Sequence, residues 1–448
     1  MDIFALITSL LTTISSVIMP SAEAVENPIE VSKIEMAVEN SVENPVDEVE
    51  EIPEEESVET KKFRLVWSVF PSAVKYQVVI VSSINDYPED EIISRDEIYT
   101  NGVEIDLSQF DSPENFYWKV CPLTYEGLPL ADFSELRPLS NAEINPTEPR
   151  ITTQFSQMAY APLFPVYSWI PVTTPTDEDP FGESAMHHEV EVLKFDEKTN
   201  SFQFVRSLIG GQYDVYDESP YNVSGTYFWH VRSISEDGYA ISEWSDFSTF
   251  EVTAPTKVAA FGDSITHGGG AMSVPPGYLM YNWETYCDVP VKNLGHSGDT
   301  TSTLLERFDR DVLPFVPKFL IIMGGVNDFR EGIISSWRST QNLKAIGKKC
   351  EEHGIIPIFL TATPINPAMM EHFGFVETPP SDWQKHQKYI NDWIMKQPYH
   401  IDVASQLADA DGNLYDTSDG LHPNQNGKQI IGEMVNAYLK EHFADELE

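Results

Sequence analysis

The chain has 448 residues, enough for about three domains of ordinary size. Its 41% hydrophobic content supports packed cores, while 28 Lys+Arg against 71 Asp+Glu give a formal net charge of −43. That charge repels phosphate backbones and anionic lipid headgroups, so no nucleic-acid or membrane-surface partner is expected. Cys121, Cys287 and Cys350 are too few and too scattered for a disulfide framework, and no Cys/His spacing suits a structural metal. Buried free thiols are the expectation, with a Cys287–Cys350 bridge as the alternative.

Residues 3–19 are apolar, interrupted by Thr and Ser, and lead into Pro20 and the small-residue pattern Ala22-Glu23-Ala24. This is the pattern of a secretory signal peptide over residues 1–24. Asp2 and the lack of Lys or Arg before the apolar stretch leave a retained anchor as the alternative. No later segment has the roughly 18 uninterrupted apolar residues of a spanning helix, so no membrane insertion is expected after cleavage. Residues 25–61 contain VENP twice and the run DEVEEIPEEE, without an aromatic residue. Such a segment buries too little apolar surface to offset the entropy of ordering, and is expected to be a disordered acidic spacer.

Two stretches then share a pattern. The first holds RLVWSVFPSAVKYQVVIV (64–81) and NFYWKVCPLTYEG (115–127); the second holds PVYSWIP (165–171), HHEVEVLKF (187–195) and TYFWHVRSISEDG (226–238). Each alternates apolar and polar residues with period two between turn residues, which predicts half-buried strands. Tyr117-Trp118-Lys119-Val120 and Phe228-Trp229-His230-Val231 occupy the same relative place, marking an internal duplication. An early-strand Trp paired with a later aromatic-Trp-x-Val strand resembles fibronectin type III modules, over residues 62–147 and 148–254. The resemblance implies two all-β sandwiches, whose default role would be spacing. Trp67, Trp118, Trp169, Trp229 and Trp244 are expected in their cores rather than as sugar platforms, and His187-His188 as a solvated pair at a strand start.

From residue 256 the period changes. Apolar runs at 257–261, 289–294, 318–323, 355–361 and 400–404 alternate with helical patterns near 299–312, 336–353, 381–396 and 425–443. Leu304, Leu305, Phe308 and Val312 make one helix face. Strands apolar throughout, separated by helices, predict a parallel sheet covered on both sides. Ligands of such sheets bind beyond the carboxyl ends of the strands.

Four motifs lie at those ends or just before the last helix. Phe261-Gly262-Asp263-Ser264-Ile265-Thr266 puts a serine on a strand-to-helix turn, where its hydroxyl is exposed and its N–H can face a developing anion; a plain N-cap is the alternative. Gly295-His296-Ser297-Gly298-Asp299-Thr300 offers a glycine whose N–H a substrate can approach closely. Gly324-Gly325-Val326-Asn327-Asp328 offers a side-chain amide donor. Asp419-Gly420-Leu421-His422-Pro423 supplies a base for the serine proton and a carboxylate to hold the imidazole tautomer.

Together, in this order, the four blocks resemble the SGNH or GDSL-type hydrolase superfamily over residues 256–448. Ile265, where the GDSL name has Leu, is a conservative departure. The resemblance implies a flavodoxin-like three-layer α/β domain that hydrolyses esters without metal or organic cofactor. It implies Ser264 as nucleophile, His422 as general base and Asp419 as its orienting partner. Ser264 N–H, Gly298 N–H and the Asn327 amide would form the oxyanion hole, with Gly298 preferred to Gly295 because Ser-Gly-Asp-Thr fits the family pattern better. Tyr278, Trp283 and Arg330 are candidate substrate-loop residues. The expected substrate is an O-acetylated carbohydrate, such as an acetylated polysaccharide, met outside the cytoplasm. A lysophospholipase or acyl-thioesterase is the enzymatic alternative, and an inactive carbohydrate-binding surface protein the alternative of another class. Oligomeric state stays open.

Overall fold

The computed structural model describes residues 61–447 apart from 71–72, 85–86, 125–126, 154, 156–157, 175–182, 185–186, 269–280, 377 and 418. The segments read as signal peptide and acidic spacer, and Tyr278, lie outside the described residues.

The first β unit comprises β1 (Lys62–Val66), β2 (Lys75–Ile84), β3 (Tyr87–Ile98), β4 (Gly102–Asp106), β5 (Tyr117–Leu123), β6 (Arg137–Pro138) and β7 (Glu143–Ile144). They form two sheets, ordered β4-β1-β7 and β3-β2-β5-β6, with antiparallel pairing. Alternation explains the two-layer form. Phe63 and Leu65 of one sheet meet Val78, Ile80, Trp118 and Val120 of the other in a single buried cluster. Trp67 lies 6.1 Å from Trp118, ring to ring. Each large side chain buried this way is worth about 1.5–3 kcal/mol.

The second β unit comprises β8 (Arg150–Ile151), β9 (Val166–Ile170), β10 (Thr173–Thr174), β11 (Glu183–Ser184), β12 (His187–Asp196), β13 (Ser201–Gly210), β14 (Asp214–Tyr216), β15 (Gly225–Ile234) and β16 (Ser248–Val252). Its larger sheets are ordered β14-β9-β8 and β13-β12-β15-β16. The four-stranded sheet repeats the strand order of the first unit, with Trp118 on β5 and Trp229 on β15, so the sequence duplication is also one of topology.

Two expectations need correction here. His188 is not solvated: the alternation of β12 turns it inward with Val190 and Val192. It is fully buried, its Nδ1 2.9 Å from the Gly211 carbonyl oxygen and its ring against Trp169. Trp169 and Trp229 are core residues, but Trp244 is half-buried. It stacks on His230 at 3.9 Å, with the Arg232 guanidinium over its ring. All three cysteines are free thiols.

The C-terminal region carries a five-stranded parallel sheet of β17 (Val258–Gly262), β18 (Val291–Asn293), β19 (Phe319–Met323), β20 (Ile356–Leu360) and β21 (His400–Ile401). Its order is β18-β17-β19-β20-β21. Every residue of β17 and β19 is buried, as strands covered on both faces require. The helices are α1 (Ser264–His267), α2 (Thr301–Asp311), α3 (Val326–Glu331), α4 (Ser336–Glu352), α5 (Pro367–His372), α6 (Trp383–Ile394), α7 (Ala404–Leu407) and α8 (Gln425–Leu447). Thr300 and Thr303 cap α2 reciprocally. Helices α2, α4 and α6 pack in succession, while α8 packs on a tight turn at Trp283–Tyr286 and on β21. The strand order reverses between β18-β17 and β19-β20, which places the ligand crevice of such a sheet at the carboxyl ends of β17 and β19.

The second β unit does not stand apart from this sheet. One apolar cluster runs from Phe155, Phe164, Trp169 and Trp229 into Val258, Phe261, Leu294 and Phe315. Strand β18 is the edge of the sheet, and residues 161–163 cover it. Leu163 N–H donates to the Asn293 carbonyl at 2.9 Å, and Lys292 Nζ donates to the Ala161 carbonyl at 2.5 Å. Burial brings the Lys292 ammonium down to about 7.

Candidate active site

The turn after β17 is built by Asp263, whose side chain accepts the Ile265 N–H at 3.0 Å and so caps α1. This sets Ser264 at the first position of α1, beside the switch point. The turn before α8 is built by a second aspartate. Asp419 Oδ1 accepts the N–H groups of Leu421 at 2.9 Å and His422 at 2.8 Å. Its other oxygen, Oδ2, lies 2.6 Å from His422 Nδ1. Gly420 between them has φ +85°, and a Cβ there would sit 2.5 Å from the Asn366 carbonyl oxygen, so glycine is required. His422 Nε2 in turn lies 2.9 Å from Ser264 Oγ.

The hydrogens follow from these partners. A carboxylate at Nδ1 accepts only, so Nδ1 carries the proton and the Nε2 lone pair faces the serine hydroxyl. Burial opposes ionisation of Asp419, but the His422 ring and the two backbone N–H donors outweigh it, holding the carboxyl below its ordinary range.

Asn327 lies in α3, just past β19. It is 2% exposed, with one Nδ2 hydrogen directed to the Asp299 carbonyl at 2.9 Å and its Oδ1 accepting from Arg330 Nε at 3.3 Å. Gly298 has φ +84° and, among the described residues, nothing within 4 Å of a Cβ built on it, whereas a Cβ on Gly295 would lie 2.3 Å from His267 N. Gly298 therefore borders open space and Gly295 is a packing glycine. Arg330 is not a free substrate-facing cation: it is buried, holds Asn327 and pairs with Glu331. Trp283, expected on a substrate loop, is fully buried, because its turn packs tightly against Gly432 of α8. Tyr281 is likewise buried.

Several residues at the site carried no signal that sequence reasoning used. Arg307, on α2, binds the Asp299 and Asp311 carboxylates and donates to the Gly262 carbonyl at 3.0 Å, tying the serine turn to the glycine loop. Lys428 of α8 is buried and donates to the Ile265 carbonyl. Burial lowers it to about 8, against the pull of Glu284, Asp263 and Asp419. Burial also pushes the Asp263 carboxyl up to about 7. An i, i+3 step from Leu304 to Arg307 and an i, i+4 step on to Asp311 hinted at a buried polar edge on α2; Lys428 has no such pattern.

An open parallel α/β sheet with a Ser–His–Asp hydrogen-bond chain at its switch point has the form of an acyl-transfer hydrolase domain. Residues 260–430 match the GDSL-like Lipase/Acylhydrolase family. The C-terminal region thus carries a GDSL-like lipase/acylhydrolase domain with the SGNH/GDSL hydrolase fold. A curated relative, the uncharacterized lipoprotein YqeF of Bacillus subtilis (strain 168), is 34% identical over 24% of this chain and 49% of its own. The chain therefore spans about half the length of the curated relative it matches. Among solved structures, a lipase/acylhydrolase from Enterococcus faecalis is similar, with 24% identity, 42% of this chain and 96% of that chain covered, and a TM-score of 0.35. A catalytic mutant of an acetylxylan esterase from Geobacillus stearothermophilus gives 17%, 42%, 95% and 0.32 for the same measures.

Proposed function

We propose that the protein is a serine esterase that hydrolyses carboxylic esters through an acyl-enzyme. The hydrogen-bond chain from Ser264 Oγ through His422 to Asp419 carries this reading. His422 Nε2 takes the Ser264 proton as Oγ attacks the ester carbonyl, and Asp419 stabilises the imidazolium that forms. His422 then protonates the leaving alcohol. Water, activated by the same ring, attacks the acyl-enzyme and frees the acid. The oxyanion of each tetrahedral intermediate is met by Ser264 N–H, Gly298 N–H and the second hydrogen of Asn327 Nδ2. The open space at Gly298 supports that assignment, and neutral donors fixed beforehand cost no reorganisation at the moment of reaction.

The substrate we propose is a small acyl group on a carbohydrate, removed by O-deacetylation. The sequence that follows the nucleophile, His267 to Tyr286, is aromatic and polar rather than a long apolar run, which supports a small acyl group over a long chain. An extracytoplasmic location, reached through the signal segment at 1–24 and held off by the spacer at 25–61, agrees with a relative that is a lipoprotein. Fibronectin type III-like sandwiches over 62–147 and 148–254 complete the proposed organisation. Among the described residues no helix is long and apolar enough to cross a membrane.

The test is hydrolysis of p-nitrophenyl esters from acetyl to palmitoyl by the full chain and its Ser264→Ala variant. The reading expects a serine-dependent rate that is highest at acetyl and collapses beyond about four carbons. A maximum at eight carbons or longer would shift the substrate to lipids or thioesters. No serine-dependent turnover on any ester would overturn the enzyme reading.

A further inference from the structure

We infer that the second β unit is a working part of the active site: Tyr216 and the Phe164 carbonyl, both from that unit, hold the loop that presents the Gly298 N–H. This rests on the serine-esterase reading above and assigns a positioning role that the family match, which begins at residue 260, does not reach.

The residue before Gly298 is held from both of its ends. Ser297 N–H donates to Tyr216 Oη at 3.3 Å. Ser297 Oγ lies 3.0 Å from His267 Nδ1, and His267 Nε2 lies 2.8 Å from the Phe164 carbonyl oxygen. A carbonyl only accepts, so Nε2 carries the ring proton and Nδ1 accepts from the Ser297 hydroxyl. Burial lowers His267 to about 4, so this tautomer persists through the neutral range. The Phe164 backbone, by way of His267, therefore fixes the Ser297 side chain, and Tyr216 fixes its N–H.

Ring packing closes the arrangement. The Tyr216 ring lies 4.8 Å from that of His267 and 5.8 Å from that of His296, while Phe164 meets His296 edge-on at 4.7 Å. Residues 296 and 297 are thus clamped between two side chains of the second unit and α1. The peptide joining Ser297 to Gly298 carries the proposed oxyanion donor, and its direction depends on where Ser297 is held. A Cβ built on Gly298 would meet nothing within 4 Å among the described residues, so no packing around a side chain there sets the position of its N–H. A donor misplaced by a fraction of an ångström stabilises the oxyanion poorly while leaving ground-state binding intact.

The experiment compares the full chain with its Tyr216→Phe and Tyr221→Phe variants on p-nitrophenyl acetate, together with inhibition by phenylboronic acid, which takes a serine oxygen to form a tetrahedral anion. Tyr216→Phe keeps the ring and loses one hydrogen bond. We expect kcat to fall about three- to tenfold and boronate affinity in proportion, with KM within about twofold. Tyr221 belongs to the same unit, and its hydroxyl bonds to Tyr167 and Asp217. Its Phe variant is expected to lose stability with kcat and boronate affinity unchanged. Wild-type kcat and boronate affinity in Tyr216→Phe would overturn the inference, as would equal losses in Tyr221→Phe. If wild-type turnover proved independent of Ser264, the esterase reading would fail first, a result distinct from either.

Discussion

The two β units share the strand order of their four-stranded sheets and a central tryptophan, yet the molecule uses them differently. The first encloses its own core around Trp67 and Trp118. It meets the second through small contacts such as Gly102 against Ile170 and Tyr99 against Tyr213. The second shares its core with the hydrolase sheet, covers the β18 edge and reaches the glycine loop through Tyr216 and Phe164. A duplicated fold therefore supplied one unit that packs mainly on itself and one that is continuous with the catalytic domain. Strand order does not decide which; the loops do.

Tryptophan truncation breaks the comparison most strongly. Trp118→Ala and Trp229→Ala each remove a buried indole and should cost about 3–5 kcal/mol. Trp118→Ala should loosen the first unit with kcat on p-nitrophenyl acetate unchanged. Trp229→Ala should lower thermal stability and kcat together. Denaturation curves and steady-state rates on both variants check this, and a kcat loss in Trp118→Ala alone would reverse the assignment.

Removal of a proposed oxyanion donor sharpens the catalytic side. Asn327→Ala should cost about 2.7–4 kcal/mol of transition-state stabilisation, a hundredfold or more in kcat, with KM little changed. An unchanged kcat would reject the role of Asn327.

A smaller effect depends on pH. The Asp263 carboxyl is raised by burial to about 7 in the folded chain, against about 3.9 in an unfolded one. The folded state then holds a proton that the unfolded state has released, so stability falls as pH rises from about 4 to 7 and levels off above. Asp263→Asn keeps an oxygen for the Ile265 N–H and has no proton to lose. Its unfolding free energy should match wild type near pH 4 and exceed it by up to a few kcal/mol at pH 8. A constant difference across that range would show that Asp263 ionises normally.

Much of the fold was legible because strands covered on both faces must be apolar throughout. The runs containing Val258–Gly262 and Phe319–Met323 stand out from the alternating strands before them. The serine, glycine, asparagine and histidine motifs were legible because each falls where a strand ends or the last helix begins. Loop contacts were not. Tyr216 ends a strand of three residues with no neighbouring motif, Phe164 acts through its carbonyl, and His267 reads as an ordinary residue of a short helix. Trp283 misled for a related reason: an aromatic residue in an irregular stretch carries no period to say whether it faces solvent or α8.

Hydrogen exchange of the full chain under rising denaturant tests most directly whether the second β unit and the hydrolase domain are one cooperative body. Strands β15 and β12 should become exchangeable at the same denaturant concentration as β17 and β19, while β2 and β5 open in a separate transition. Opening of β15 and β12 ahead of the hydrolase strands, with esterase activity retained, would contradict it.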